Sequence, residues 1–342
     1  MRIDLVVPGL VWPNPGVSSL TAGLALPALE RLLGLGRVVQ HGRMPIDTWL
    51  GKAFTLPAAR LPLGAMRRMG EPLLPAPAAG IHYLCADPVN LHFAREHLLL
   101  SALPEHELTA AEADALVDSL NAFFMPLDDG IAGFEIATPE RWYLKLTKAP
   151  QTRFFALDDV IGRPVSHFMP EGADSRDWQR LGNEVQVLLH NHPVNQARET
   201  AGRRPVNSVW LWGDGDPLPA PGRAPAQLVS NDLLARGLAR SLGVATSKAA
   251  GLPDGDTVVM ADELLRPSLF LDLGTWRDEL QRLEQTWFAP LLAALKTRRV
   301  TQLNIVAPGD RASLEITLRP TDCLKFWRTA HTLESLLPKP LQ

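Results

Sequence analysis

The sequence predicts an α/β fold in which a core sheet is flanked by helices and a smaller α+β domain is inserted. Short apolar runs typical of buried strands alternate with helical patterns along most of the chain. The middle of the chain differs, because a hairpin pattern lies there between two helical patterns. The 342 residues, 46% hydrophobic and 21% charged, are sufficient to bury a core of this kind.

The first elements are predicted from apolar runs and turn residues. Residues 3–10 form an apolar run closed by Pro-Gly, which predicts a buried strand. Residues 20–36 predict a loop and then a helix, because leucines recur at helical spacing before two glycines. A short helix is expected at 63–70, and a strand ending in a polar turn at 80–93. Asp87 precedes a proline, which indicates a turn that caps a following helix.

The later elements follow the same rules. Thr109 and Glu112 have the spacing of a capping box and predict a helix to residue 124. The remaining predicted elements are a hairpin at 133–147, a helix at 177–192, a strand at 207–213, a helix at 230–244, a strand at 256–261, a long helix at 273–296, and strands at 302–309 and 312–318. We therefore place the core at 1–104 and 206–342 and the inserted domain at 105–205.

Composition excludes several classes of protein. The net charge of −3 argues against a general polyanion-binding or anionic-lipid-binding surface, although a local basic patch remains possible. Cys85 and Cys323 are far apart, so neither a disulfide framework nor a zinc site is indicated. The first residues lack the pattern of a signal peptide, and no apolar run approaches the ~18 residues of a membrane span. We expect a cytoplasmic protein without nucleic-acid or membrane partners.

The most polar stretch of the chain is HNHPVNQARETAGRRPVNSVWLWGDGD, at residues 190–216. Polar residues at the end of an α/β strand lie where such folds bind ligands, and the guanidinium of Arg198 matches a phosphate or carboxylate. In the alternative interpretation, Asn195, Asn207 and His192 only satisfy backbone groups in tight turns. On a helix, His190 and His192 point in nearly opposite directions, so they do not form a metal pair there.

A second polar cluster, CADPVNLHFAREHLLL, spans residues 85–100. His92 and Glu96 have a spacing that can ligate a metal, but a solvated helix face is the favoured interpretation. The Gly-Asp turns lack the further carboxylates of a calcium loop. No catalytic residue is assigned, and no metal or other cofactor is expected. The predicted ligand-binding residues are Asp87, Asn90, His192, Asn195, Arg198, Asn207 and Asp214.

The polar stretch resembles the segment HPxNxxRxxxGxxPxNxIxLxGxG of the insert domain of archaeal-type, cofactor-independent phosphoglycerate mutases. The matching residues include Pro193, Asn195, Arg198, Gly202 and Asn207. This resemblance implies an alkaline-phosphatase-superfamily core with an inserted domain. The chain also resembles the bacterial RpfE-type proteins, which share the patterns ADPVxL, NExQxLLHxHPVN and VNSLWLWGxG, here at 86–91, 183–195 and 206–215.

The sequence departs from the mutases at the positions that carry their chemistry. Such mutases use two divalent metals and a serine nucleophile. Here Pro8 stands where the first metal ligand is expected, and residues 61–70 contain no serine or threonine. The later metal motif has Asp262 and Asp272 but no histidine. Two-metal phosphoryl transfer needs a cluster of such ligands, so the resemblance implies a fold relative without this chemistry.

Three hypotheses remain open. The first is a non-catalytic regulatory or ligand-binding protein, whose partner is a phosphorylated small molecule or another protein. The second is a phosphomutase or phosphoesterase with remodelled groups, drawn from Asp87, His92, His190, His192 and Asp214. In the third, the polar stretch only locks the inserted domain to the core.

Overall fold

A computed structural model of the chain describes residues 1–13, 20–56, 60–94, 96–103, 106–127, 129–218, 222, 224–248, 251–309 and 312–336. In chain order, its strands are β1 (Arg2–Val6), β2 (Arg37–His41), β3 (His82–Ala94), β4 (His97–Ala102), β5 (Ile131–Thr138), β6 (Arg141–Leu146), β7 (Thr152–Arg153), β8 (Glu171–Gly172), β9 (Ser208–Trp212), β10 (Gln227–Ser230), β11 (Ala245–Ser247), β12 (Thr257–Met260), β13 (Gln302–Ala307) and β14 (Ser313–Leu318).

Its α-helices are α1 (Pro27–Leu35), α2 (Ile46–Ala53), α3 (Leu63–Gly70), α4 (Ala110–Phe124), α5 (Leu157–Val160), α6 (Ser175–His190), α7 (Pro193–Thr200), α8 (Leu233–Ser241), α9 (Leu265–Leu269), α10 (Leu273–Leu283) and α11 (Ala289–Lys296). These elements form two compact units. Unit 1 comprises Met1–Pro57 and Pro219–Gln342, and unit 2 comprises Ala58–Leu218. Among the described residues, every helix is too short or too polar to cross a bilayer.

Unit 1 is built on a seven-stranded mixed sheet in the order β11-β10-β12-β1-β13-β14-β2. The first five strands in this order are parallel, and β14 runs antiparallel to β13 and β2. β1 lies at the centre, and its alternate residues Ile3 and Leu5 are fully buried among the residues of α1, α10 and α11. The predicted α/β class, with a central sheet flanked by helices, is confirmed.

A buried glutamate joins two helices of unit 1. α10 and α11 are connected by a π-helical turn, Glu284–Phe288, in the region predicted as one long helix. The Glu284 carboxylate accepts the backbone N–H groups of Ala28 and Leu29 at 2.6 and 3.0 Å. The residue before α1, Leu26, has no capping side chain, so Glu284 supplies the acceptor that the first turn of α1 requires.

Unit 2 is built on an antiparallel sheet in the order β4-β3-β6-β5, with β9 also paired to β3. α3 packs on β3, α4 on β5 and α6 on β9. The predicted capping box is confirmed, because the Thr109 hydroxyl accepts the N–H of Glu112 at 3.2 Å and the Glu112 carboxylate accepts the N–H of Thr109 at 2.9 Å. The predicted hairpin at 133–147 is also confirmed, as β5 and β6.

The predicted turn and helix after Asp87 are wrong. The strand continues as β3 through Ala94 and returns as β4, so His92 and Glu96 do not lie on a helix. β6 and β4 pair with the same edge of β3, β6 up to Cys85 and β4 only from Val89. Pro88 is tolerated because it lies in the gap between these two ladders. Tertiary pairing with β9 across the same residues outweighs the local turn signal.

The observed division of the chain differs from the boundaries placed at 104 and 206. Unit 2 also includes residues 58–103 and 206–218. The reason is strand pairing: β3 and β9, from the two flanking stretches, join β6 of the middle section in one sheet. The backbone N–H and C=O groups of a buried sheet are satisfied only when its strands are paired. The stretches that contain β3 and β9 therefore belong to unit 2.

Candidate functional site

The seven predicted ligand-binding residues all lie in unit 2. Four of them converge on one segment without regular secondary structure, residues 203–207, which connects α7 to β9. Asp87, His192 and Asp214 have separate surroundings. Each of the seven forms hydrogen bonds with neighbouring groups of unit 2.

Arg198 is fully buried at the end of α7. Its Nε donates to the carbonyl of Arg204 at 2.8 Å, and its Nη1 donates to the carbonyl of Glu107 at 3.1 Å. Its guanidinium also pairs with the carboxylates of Glu107 at 3.1 Å and Glu112 at 3.3 Å. The cation is therefore neutralised inside unit 2. This arrangement favours a structural role over contact with an external anion.

His192 lies just before α7, and Asn195 lies in its first turn. Asn195 is 1% exposed; its side chain accepts the N–H of Val206 and donates to the carbonyls of Val206 and Leu189, at 2.7 to 2.8 Å. His192 is the N-cap, because its Nδ1 accepts the N–H of Val194 at 3.2 Å. Its Nε2 lies 3.0 Å from the Ser119 hydroxyl. Burial lowers the pKa of His192, which favours the neutral ring that a cap requires.

Asn90 and Asn207 fasten the same connecting segment to β3. The Asn207 side chain accepts the N–H of Leu91 at 2.7 Å and donates to its carbonyl at 2.8 Å, as a neighbouring strand would. Asn90 donates to the carbonyl of Pro205 at 2.9 Å. Together with Arg198 and Asn195, these side chains satisfy backbone groups of residues 204–206 and of β3. The alternative interpretation, that these residues satisfy backbone groups, agrees with this geometry.

Asp87 lies in a buried ion pair. Both its carboxylate oxygens accept from Arg67 of α3, at 2.6 and 2.8 Å, and Oδ2 also accepts from the Trp212 indole at 2.8 Å. The Arg67 guanidinium lies over the Tyr143 and Trp212 rings, 4.9 and 5.0 Å from their centroids. Paired and nearly 95% buried, this carboxylate attaches α3 to the sheet.

Asp214 follows β9. Its Oδ1 accepts the N–H of Phe154 at 2.9 Å and its Oδ2 pairs with Arg60 at 2.6 Å. Burial raises the pKa of Asp214 above its ordinary value, although the Phe154 N–H and the Arg60 charge oppose the shift. A carboxylate with a raised pKa is a recognised feature of acid–base sites, but here the side chain also holds a loop.

Two further ion pairs of unit 2, each with a buried side chain, were not predicted from the sequence. Arg68 pairs with Glu135 at 2.6 Å, and Glu71 pairs with Arg141 at 2.8 Å while also accepting from the Tyr143 hydroxyl at 2.9 Å. The adjacent pair Arg67-Arg68 in a short apolar helix was the available signal. Two neighbouring arginines on a helix that must pack on a sheet require buried acidic partners.

In unit 1, the carboxyl ends of the parallel strands are where an α/β fold ordinarily binds its ligand. Pro8 and Gly9 follow β1. Gly9 has a φ of +80°, and a side chain there would lie 2.4 Å from the carbonyl of Leu264. Its own carbonyl accepts the indole N–H of Trp276 at 2.8 Å. Pro8 and Gly9 are therefore held tightly in the core, and neither offers a carboxylate.

The other groups at this edge are sparse. Asp262 follows β12 and is half-buried, and burial raises its pKa above the ordinary value. The Ser230 hydroxyl, at the end of β10, accepts the N–H of Asp232 at 3.0 Å, and Asp232 caps α8. Within the described ranges, no group of three or more His, Cys, Asp or Glu side chains could hold a metal ion. The described residues therefore do not fit a two-metal centre.

A groove of about 660 Å³ lies elsewhere in unit 1, on the face of the sheet opposite α1. Its floor is polar: Asn304 of β13 donates to Asp4 of β1, and Arg2 pairs with Asp4 at 3.1 Å. Charged side chains on central parallel strands are unusual, since such strands are ordinarily apolar on both faces. Lys52 adds a second cation to the wall, and Asp256 and Glu315 add two further carboxylates. The groove has the size of a small-molecule site.

The comparisons with known proteins agree with this fold. No family model matches the chain. The 2,3-bisphosphoglycerate-independent phosphoglycerate mutase of Methanothrix thermoacetophila is 40% identical over 63 residues, 18% of this chain and 15% of that protein. The enzyme of the same name from Methanosarcina mazei is 27% identical over 160 residues, 43% of this chain and 37% of that protein. The matches thus span well under half of these relatives' lengths.

A solved structure extends the likeness to nearly the whole fold. The PH0037 protein from Pyrococcus horikoshii aligns over 98% of this chain and 91% of its own, with a TM-score of 0.57 and 15% sequence identity. At this identity the alignment establishes the fold alone, whereas the relationship rests on the sequence matches. The chain is thus an α/β protein related to the 2,3-bisphosphoglycerate-independent phosphoglycerate mutases.

Proposed function

We propose that this chain is a phosphoglycerate-mutase-like protein that acts by binding a ligand or partner and does not transfer phosphoryl groups. The proposal includes the finer resemblance to RpfE-type bacterial proteins and a cytoplasmic location. The observation that carries it is the make-up of the carboxyl edge of the unit 1 sheet. There Pro8 takes the place of the first expected metal ligand. Among the described residues, Asp262 belongs to no group of three or more potential metal ligands.

The bonding of the polar stretch supports the same proposal. A substrate-gripping arginine has to present free donors to an anion. Arg198 instead directs its guanidinium at Glu107, Glu112 and two carbonyls of unit 2. The motif shared with the mutases therefore acts, in this proposal, as the scaffold that holds the connection between α7 and β9.

The binding half of the proposal uses the polar groove of unit 1. Lys52 provides a cation for a phosphate or carboxylate, and Asn304 and the paired Arg2 and Asp4 provide hydrogen-bonding groups for hydroxyls. Pro8 and Asp262 are not among the residues that line the groove, which include the first residues of β12 and Asn304 and Val306 of β13. Binding there does not depend on the groups that catalysis would need.

The catalytic half is tested by turnover. The purified chain is assayed for interconversion of 2- and 3-phosphoglycerate and for phosphatase activity, with Mg²⁺, Mn²⁺, Co²⁺ or Zn²⁺ added. The Methanosarcina mazei mutase is the positive control. We expect no turnover above the buffer rate. Metal-dependent turnover that Asp262→Asn abolishes would refute the proposal, because the carboxyl edge would then be a working site.

The binding half is tested by thermal shift and calorimetry with 3-phosphoglycerate, 2-phosphoglycerate and inorganic phosphate. A ligand at a hundred times its Kd stabilises the folded state by about 2.7 kcal/mol. We expect Asn304→Leu and Lys52→Ala to reduce this effect, whereas Arg203→Ala, an exposed arginine of unit 2, leaves it unchanged. A ligand-induced shift that survives both groove variants would place the binding site elsewhere.

The second candidate function is a phosphomutase or phosphoesterase with remodelled groups. The observation that favours it is that burial raises the pKa values of Asp214 in unit 2 and of Asp262 in unit 1. A raised pKa is a property that a carboxyl acting as a general acid requires. Loss of a measured activity in Asp214→Asn, at unchanged melting temperature, would support this function over the first.

A further inference from the structure

Near the end of unit 1, a tight turn exposes two aromatic side chains. The N–H of Arg328 donates to the carbonyl of Lys325 at 3.1 Å, so Phe326 and Trp327 are the two central residues of the turn. Such positions ordinarily hold Gly, Pro, Asn, Asp or Ser. Phe326 is 85% exposed, Trp327 67% and the preceding Leu324 66%. The two rings contact each other edge to face, with centroids 5.2 Å apart.

The turn is fixed to the body of unit 1. Arg328 donates to the last carbonyls of α1, those of Leu35 and Gly36, at 3.1 and 3.2 Å. Leu333, a few residues later, is buried in the core. A side chain at Gly34 would overlap the carbonyl of Thr329, so the backbone after the turn lies directly against α1. The aromatic pair therefore projects from an ordered support, which reduces the entropy lost on binding.

The charges around the turn are mainly positive. Between residues 319 and 328, Arg319, Lys325 and Arg328 stand against a single carboxylate, Asp322. Lys325 lies 2.5 Å from Asp322, which leaves the two arginines as the excess charge of the segment. Arg31 of α1 adds another cation, since its guanidinium donates to the carbonyl of Arg328. This is a local basic patch on a chain whose net charge is −3.

We propose that this turn docks unit 1 onto an anionic lipid surface, with Leu324, Phe326 and Trp327 inserted among the headgroups. Indole and phenyl rings suit the boundary between headgroups and acyl chains. Cations beside an inserted apolar tip gain further attraction from lipid phosphates. A tip of three side chains has few apolar contacts, so the binding is weak, reversible and sensitive to salt.

The area of the patch argues against a second copy of the chain as the occupant. A specific protein interface buries about 800 Å² on each partner, from about 20–30 residues. Here the exposed apolar surface comes from three residues within 324–327. A symmetric dimer would also bring two basic patches together, which is unfavourable.

The test is co-sedimentation of the full chain with phosphatidylcholine vesicles, with and without phosphatidylserine. We expect binding only to the vesicles that contain phosphatidylserine. The double substitution Phe326→Ser, Trp327→Ser should weaken it about tenfold or more, because it removes most of the inserted apolar area. Phe93→Ser is the matched control, since Phe93 is 79% exposed in unit 2. It should leave binding unchanged.

A second measurement locates the inserted ring. Brominated acyl chains should quench the fluorescence of the wild-type chain, and Trp327→Phe should lose this quenching while its vesicle binding stays within about threefold. Both variants change exposed side chains, so their melting temperatures should stay within about 1–2 °C of the wild type.

Two results would overturn the proposal: no binding to either vesicle, or equal binding of the wild type and the double variant. If the double variant instead loses capture of an acidic protein, with no vesicle binding by the wild type, the patch is a protein-binding site. The proposal does not rest on the proposed function. Vesicle binding is measured without turnover, so failure of one leaves the other intact.

Discussion

Arg198 offers the sharpest test of the structural role of the polar stretch. Arg198→Ala removes a fully buried guanidinium and leaves the carboxylates of Glu107 and Glu112 without this partner. Breaking a buried ion pair costs about 3–5 kcal/mol. Glu107 and Glu112 keep 23% and 15% side-chain exposure, and Glu112 keeps its bond to Arg203. We therefore expect a loss of about 3 kcal/mol, at the lower end of that range.

The assay is unfolding by heat and by urea. For a unit the size of unit 2, about 3 kcal/mol corresponds to a melting temperature lower by about 6–12 °C. Arg203→Ala is the control, because Arg203 pairs with the same Glu112 but is 42% exposed. It should cost less than about 1 kcal/mol. Arg198→Lys should fall between the two, since it keeps the charge but loses the planar fork.

The opposite result is equally clear. If Arg198→Ala lowers the melting temperature by less than about 2 °C and abolishes binding of a phosphorylated ligand, Arg198 is a ligand-binding residue. The structural interpretation would then be refuted.

Three further predictions concern backbone groups and pH. Glu284→Ala should cost about 2–4 kcal/mol in urea unfolding, because two N–H groups at the start of α1 lose their acceptor; an unchanged midpoint would contradict this. Asn207→Ala should lower the free energy of unfolding by about 1–3 kcal/mol. The backbone N–H of Leu91 loses its acceptor, so its hydrogen exchange should become faster, and an unaltered exchange rate would contradict this prediction. Burial opposes ionisation of Glu112, but hydrogen bonds from Thr109 hold its pKa below the ordinary 4.5. Its contribution is therefore complete above about pH 4.5 and is lost as pH falls through the lower folded value, so Glu112→Gln should flatten the acid limb of the stability curve.

Much of the fold could be predicted because its signals are local. The capping box at Thr109 depends on two residues three positions apart, and the helix at 177–192 on an apolar face repeated every turn. These patterns need no knowledge of distant residues, and the structure confirms them.

The errors occur where distant residues decide. Asp87 before Pro88 has the local form of a helix cap, but Arg67 and Trp212 take its carboxylate and β9 pairs with its backbone. The bounds of unit 2 differ from the predicted boundaries for the same reason, since β3 could not be assigned to a sheet before its partners were known. One buried ion pair and the pairing with β9 outweigh one local preference, because burial makes an unpaired charge very costly.

For the polar stretch, the sequence by itself determined the residue types and their spacing: an arginine and two asparagines that follow a helical pattern and precede or begin an apolar strand. It left binding and scaffolding both open. Only the tertiary structure decided which groups these side chains contact, since Glu107 lies 91 residues from Arg198 and Leu91 lies 116 residues from Asn207. Hydrogen-bonding groups in a sequence can be listed, but their partners are set by the packing that brings remote segments within 3 Å of each other.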